Sequence, residues 1–271
     1  MKRFASVLLG VGIVVLSVFA LSSGMFSSAQ ARQNVPPLTQ WQVIDLTQPM
    51  ALDLPLWPGD PAFEVEAVAS YAEDEYFINR ISIGEHSGTH WGTPNTFIEG
   101  ARSADMFSAE ELVLPAVVID ITDKAAEDAD YRLSVEDVQA WVEANGAIPE
   151  GAAVILYTGW QDRWDDAAAF INEDADGIMH WPGFSAEAVE YMIQEYGIGA
   201  LGTDTHGADP GNDEEFGASF AMYDADGIIL ECLAGLDGMP ATGATVVVGG
   251  LPIEGGSGSP ARVLAFVPPA E

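Results

Sequence analysis

Five stretches of this chain are unbroken apolar runs of strand length: Ala116-Val117-Val118-Ile119-Asp120, Ala153-Val154-Ile155-Leu156-Tyr157, Ile198-Gly199-Ala200-Leu201, Thr245-Val246-Val247-Val248 and Val263-Leu264-Ala265-Phe266-Val267. A strand with one wet face alternates apolar and polar residues, so runs without alternation belong to strands covered on both faces. Covering them requires helices. Ser134-Val135-Glu136-Asp137 opens one with a capping-box pattern, and Val135, Val138, Trp141 and Val142 follow at helical spacing. Ser185 opens a second, with Ala188, Val189, Met192 and Ile193 facing inward and Gly197 as its stop. That helix leads straight into the strand at Ile198, which is α/β construction.

Ahead of this pattern, Met1-Lys2-Arg3 precedes an apolar run from Val7 to Leu21 and small residues ending in Ala29-Gln30-Ala31. The run is shorter than the ~20 residues that a bilayer span needs, so residues 1–31 are expected to be a cleaved signal peptide. The protein is then exported, to the periplasm or beyond the cell. Residues 32–40, with two prolines and no periodicity, are expected to be a leader to one domain spanning 41–268. The single cysteine, Cys232, excludes an internal disulfide and sits in the apolar run Ile228-Ile229-Leu230-Glu231-Cys232-Leu233, where it is expected to be a small buried hydrophobe. With 42 acidic and 9 basic residues the formal charge is −33, which argues against nucleic acid and anionic membranes as partners. A small-molecule substrate is the remaining expectation.

Of four histidines, His86 and His90 stand four apart in Glu85-His86-Ser87-Gly88-Thr89-His90-Trp91-Gly92-Thr93-Pro94-Asn95-Thr96. Two imidazoles this close can chelate one divalent ion. Gly88, Gly92 and Pro94 argue against a helix, so both are expected to project from a loop. Glu231, embedded among apolar residues, needs a cation or a donor, and Arg262 is one candidate. His206 follows a buried strand, at the kind of strand end where α/β proteins place their sites. Asp204 and Asp209 lie in a turn where aspartates commonly bond the backbone.

The His86 stretch resembles the His-x-Gly-Thr-His-x-Asp-x-Pro-x-His signature of the cyclase family of metal-dependent amide hydrolases, which includes bacterial kynurenine formamidase. Asp45-Leu46-Thr47, Trp57-Pro58-Gly59-Asp60-Pro61, Tyr157-Thr158-Gly159-Trp160, Pro182-Gly183-Phe184-Ser185, Gly202-Thr203-Asp204-Thr205 and Gly258-Ser259-Pro260-Ala261-Arg262 agree with it in order. The resemblance implies a single mixed-sheet, swivelling β/β/α domain, a homo-oligomer, metal ligands at His86, His90 and Glu231, and a substrate-binding role for Trp57. It also implies losses. Gly92 stands at the family's bridging aspartate, Ser219 at a further histidine ligand and Thr96 at the histidine acid/base.

One divalent ion, zinc or manganese, is therefore expected rather than two, with Glu231 or His206 taking over proton transfer and Asp204 a further candidate. The function expected is hydrolysis of a small amide, lactam or ester, and the alternative is a non-catalytic small-molecule binding protein on the same fold.

Overall fold

The computed structural model describes residues 37–269; the expected signal peptide and all of the leader but its end lie outside the described residues. The strands, in chain order, are β1 (Gln42–Asp45), β2 (Glu64–Ala69), β3 (Ile78–Ser82), β4 (His90–Gly92), β5 (Val113–Asp120), β6 (Arg132–Leu133), β7 (Ala153–Tyr157), β8 (Gly183–Phe184), β9 (Ala200–Thr203), β10 (Ile228–Glu231), β11 (Ala244–Gly250) and β12 (Gly258–Val267). The helices are α1 (Tyr71–Asp74), α2 (Thr122–Glu127), α3 (Val135–Asn145), α4 (Ala167–Ile171), α5 (Ala186–Tyr196) and α6 (Gly217–Asp224).

Eight strands form one mixed sheet in the order β1-β12-β11-β5-β7-β9-β10-β4. β5, β7, β9 and β10 are parallel neighbours, and the remaining pairs are antiparallel. β4 pairs with β12 as well as β10, which closes the sheet on itself. Closure brings backbones unusually near: a Cβ on Gly258 would overlap the Trp91 carbonyl oxygen, so only glycine fits where β12 meets β4.

The two faces of the closed sheet bury different residues. Val117, Ile119, Val154, Leu156, Leu201 and Ile229 point outward to Val138 and Trp141 of α3 and Ala188, Val189 and Met192 of α5. Their neighbours Ala116, Val118, Ala153, Ile155 and Leu230 fill the interior together with Val246 and Val263. In β5, β7 and β9 the runs without alternation are thus the mark of helix-covered strands. β11 departs from that expectation: Ala244, Val246 and Val248 are buried while Thr245 and Val247 are half-exposed, because none of its residues joins the helix-covered cluster. β9 starts at Ala200 rather than Ile198.

Both expected helices form. The Ser134 side chain accepts from the Asp137 N–H and Asp137 accepts from the Ser134 N–H, a closed capping box. The Ser185 side chain accepts from the Ala188 N–H, and Gly197 ends α5 in the left-handed region at φ 63°.

Candidate active site

Sheet register brings the first pair of site residues together. His90 on β4 lies directly opposite Glu231 on β10, and both project from the helix-covered face beside Ile229. His90 is therefore a strand residue, not the loop residue expected from Gly88 and Gly92; Gly88, at φ 64°, turns the chain just before β4 and leaves only His86 in the loop. Thr89 locks this turn, donating to the Cys232 carbonyl at 2.6 Å and accepting from the Gln48 N–H at 2.8 Å. Cys232 itself is fully buried.

His90 Nε2 lies 3.2 Å from Glu231 Oε2, and His206 Nδ1 lies 3.6 Å from the same oxygen. His86 joins them, its ring centroid 5.1 Å from that of His90, while the His90 and His206 rings are 5.9 Å apart. The Arg262 pairing is corrected by this arrangement. Arg262 projects from β12 into solvent and holds Asp45, while Glu231 takes the two imidazoles instead.

Hydrogen-bond bookkeeping assigns the protons. His90 Nδ1 is 2.9 Å from the Gly88 carbonyl, which can only accept, so Nδ1 carries a hydrogen and Nε2 turns toward Glu231. Ser257 Oγ donates to Glu85 at 2.7 Å, so it accepts from His86 Nε2 at 2.8 Å and leaves Nδ1 as the lone-pair nitrogen of His86. Burial opposes charge on Glu231, yet His90 and His206 hold its carboxylate well below the usual range. Burial also acts against charge on His90, but Glu231 outweighs it and raises the imidazole. Burial first, and His90 second, pull His86 down to about 4, so it is neutral at pH 7.

His90 Nε2 and both ring nitrogens of His206 are buried without a hydrogen-bond partner. A buried imidazole nitrogen facing a carboxylate needs a cation between them, either a proton or a metal ion. In kind the donors fit one divalent ion: neutral imidazoles, an ionised carboxylate, and a ligand histidine whose other nitrogen donates to a backbone carbonyl. Among the described residues, however, no group of three or more His, Cys, Asp or Glu side chains is already arranged to hold one.

The cluster closes one end of a cavity of about 250 Å³. His86, His206 and Glu231 reach its wall, and Trp57, Phe97, Trp181 and Phe216 form its aromatic sides. Trp57, expected at the substrate from the family resemblance, stands edge-on to His206 at 5.7 Å and to Trp181 at 5.6 Å. Asp204 is not at the cavity. It is fully buried and accepts from the Thr158 N–H and hydroxyl and the Gln161 N–H, tying the ends of β7 and β9 together. Burial raises it to about 6, against those three donors. Asp209 does reach the wall, but it is occupied in capping α6 through the Ala218 and Ser219 N–H groups and the Ser219 hydroxyl. His180 is engaged elsewhere, by Asp130 at 2.9 Å.

The three substituted family positions also lie here. Thr96 and Ser219 line the cavity, and a Cβ on Gly92 would overlap the Tyr223 hydroxyl. Tyr223 is a site residue that the motifs did not reveal, because nothing in its spacing distinguishes it from a core aromatic of α6.

Residues 44–210 match the family model described as "Putative cyclase". The chain belongs to the cyclase family. It is 34% identical over 246 residues to isatin hydrolase of Roseibium aggregatum, covering 84% of this chain and 93% of that protein. It is 28% identical over 228 residues to kynurenine formamidase of Sphingopyxis alaskensis, covering 82% and 97%. Among solved structures, isatin hydrolase A from Ralstonia solanacearum superposes with a TM-score of 0.81 at 38% identity, over 84% of this chain and 93% of that one. The cyclase-family member thus keeps the family's fold together with a site in which hydrolases of the family are its relatives.

Proposed function

We propose that this cyclase-family protein is an exported hydrolase that opens the C–N bond of a small aromatic amide or lactam, using one divalent ion. The observation carrying this reading is a cavity with four aromatic walls that ends on Glu231, His86 and His206, in a chain similar to isatin hydrolases. His86, His90 and Glu231 would hold the ion, with His206 adjacent. Such an ion, when bound, lowers the pKa of water and polarises the carbonyl under attack.

The protein's own residues supply the rest. Trp57, Phe97, Trp181 and Phe216 bind a flat ring and exclude water. His206, with Nδ1 toward Glu231, has Nε2 left to move a proton. In the reaction His206 Nε2 takes a proton from water as its oxygen adds to the carbonyl and returns that proton to the nitrogen as the C–N bond breaks, the second water proton being released when the acid ionises. The products are a carboxylate and an amine.

Metal content of the purified protein, measured together with turnover of isatin, tests this. The expected result is about one divalent ion per chain, lost in His90→Ala, and ring opening that the same variant abolishes. No bound ion and no turnover of lactam, amide or ester substrates would overturn it. One observation favours the non-catalytic reading: the Tyr223 hydroxyl fills the space beside Gly92 where a larger ligand side chain would stand. That reading is distinguished by saturable binding of isatin without turnover.

We also infer a homo-oligomer. The β2–β3 hairpin exposes Val65, Val68, Tyr71, Phe77, Ile78 and Ile81, and a two-stranded ribbon with apolar residues in water on this scale has little stability of its own. A second copy of the chain covers it in this proposal.

A further inference from the structure

The cavity that ends on Glu231 has a neighbour. A second cavity, of about 530 Å³, has a wall that includes Ile178, Met179, Asn212 and Asp213, and Trp57 and Phe216 line both. Their rings, 6.1 Å apart, therefore stand between the two spaces. Phe216 continues the partition to Phe97, 5.3 Å away on the wall of the first cavity. Its backbone is unusual: at φ 52° it occupies the left-handed region, which bulky residues rarely adopt. Such a conformation persists only where the surroundings determine it. Here Asp213 Oδ1 accepts from the N–H groups of Glu215 at 2.9 Å and Phe216 at 3.2 Å. Arg132 on β6 in turn donates to Asp213 Oδ2 at 2.6 Å and to Asn212 Oδ1 at 3.0 Å. A side-chain clamp from a distant strand thus fixes residues 212–216 and, with them, the ring.

We propose that Phe216, set in place by the Arg132–Asp213 clamp, is a specificity-determining residue that closes the substrate cavity off from the second one. The site then takes an aromatic amide or lactam of one compact ring system, because a substituent long enough to reach the second cavity meets the Phe216 ring. Without that ring the two spaces join, and such an arm gains apolar contact with Ile178 and Met179. This inference rests on the reading of the first cavity as the substrate site, and it names the size class of substrate which that site takes.

The test compares isatin with isatins that carry one phenyl group at each free carbon of the benzene ring in turn, so that every direction from the ring is sampled. Binding to the full-length protein is followed by quenching of tryptophan fluorescence, since Trp57 stands in the partition, and turnover is measured separately. In the unmodified protein isatin is expected to bind at least about tenfold more tightly than every phenyl derivative, the penalty for overfilling a closed space. Phe216→Gly is the decisive variant: glycine adopts φ 52° without strain, so the fold, checked by circular dichroism, is expected to persist. In it the best phenyl derivative is expected to match or exceed isatin, a shift of about tenfold or more in the ratio. Arg132→Ala keeps the ring but frees the segment that carries it. An intermediate ratio is expected there, moved back toward that of the unmodified protein in Arg132→Lys. An unchanged ratio in Phe216→Gly, or a phenyl derivative bound as tightly as isatin by the unmodified protein, overturns the proposal. An unchanged ratio in Arg132→Ala overturns the role given to the clamp. The expected shift in binding without turnover supports the partition and removes only the hydrolase reading. Turnover without size discrimination does the reverse, and absence of both binding and turnover removes both.

Discussion

His90 and Glu231 are cross-strand partners whose side chains meet at 3.2 Å, the imidazole fully buried and its Nε2 without a hydrogen bond. The Gly88 carbonyl fixes the hydrogen on Nδ1, so the two acceptor-bearing atoms are held face to face. A cation relieves that opposition, which is the physical basis for a metal here and for the loss of function expected when either partner is changed.

Glu231→Gln keeps the shape of the side chain and removes its charge. It is expected to lower isatin turnover by at least about a hundredfold and to remove bound metal. It also leaves His90 without its counter-charge, and thermal melts are expected to show a loss of about 3 kcal/mol. Turnover within threefold of the unmodified protein would refute a role for this carboxylate.

Arg262→Ala provides the contrast. Its partner is Asp45 on an exposed edge, so stability is expected to change by less than about 1 kcal/mol and turnover not at all. A large loss of activity would reinstate Arg262 as a partner of the site.

Gly92→Ala places a methyl group against the Tyr223 hydroxyl. A cost of about 1–3 kcal/mol is expected in denaturant unfolding, as for other overpacked positions. Adding Tyr223→Phe removes the overlapping oxygen, so the double variant is expected to recover part of the loss, with a coupling of about 1 kcal/mol. Strict additivity of the two changes would show that the contact is not what excludes a side chain at residue 92.

Asp204 gives a pH dependence. Its folded pKa, raised by burial to about 6, exceeds that of an unfolded aspartate, so the folded state holds the proton more tightly. The associated stability is complete below about pH 4 and lost as pH rises through about 6. Melting temperatures of the unmodified protein and Asp204→Asn, compared from pH 4 to pH 7, are expected to shift against the unmodified protein as pH rises. The opposite trend would mean that the Thr158 and Gln161 donors outweigh burial.

The hairpin predicts an assembly. Phe77→Ser with Ile81→Lys is expected to reduce the mass measured by light scattering to that of one chain, leaving the fold intact. Unchanged mass would place the interface elsewhere.

Much of this molecule was legible in local pattern. Apolar runs announced β5, β7 and β9 because helices and a closed interior cover both of their faces, and Ser134 and Ser185 announced their helices because a cap is a bond between near neighbours. The histidine spacing and the isolated carboxylate marked His86, His90 and Glu231 as unusual. Local pattern misled where coverage or pairing was in question. β11 has the composition of a covered strand and lacks the cover, and Arg262 has the right charge for Glu231 but points into solvent toward Asp45.

Sequence alone therefore determined the construction, the donor types and the three substitutions at Gly92, Thr96 and Ser219, since each of these is a matter of residue identity and spacing. Only the tertiary structure decided which donors meet. Closing the sheet brings residue 90 to residue 231, the end of β9 carries His206 to the same oxygen, and α6 sets Tyr223 into the space that Gly92 leaves. Those contacts join residues distant along the chain, and side-chain periodicity records which face a residue is on but not what it meets there.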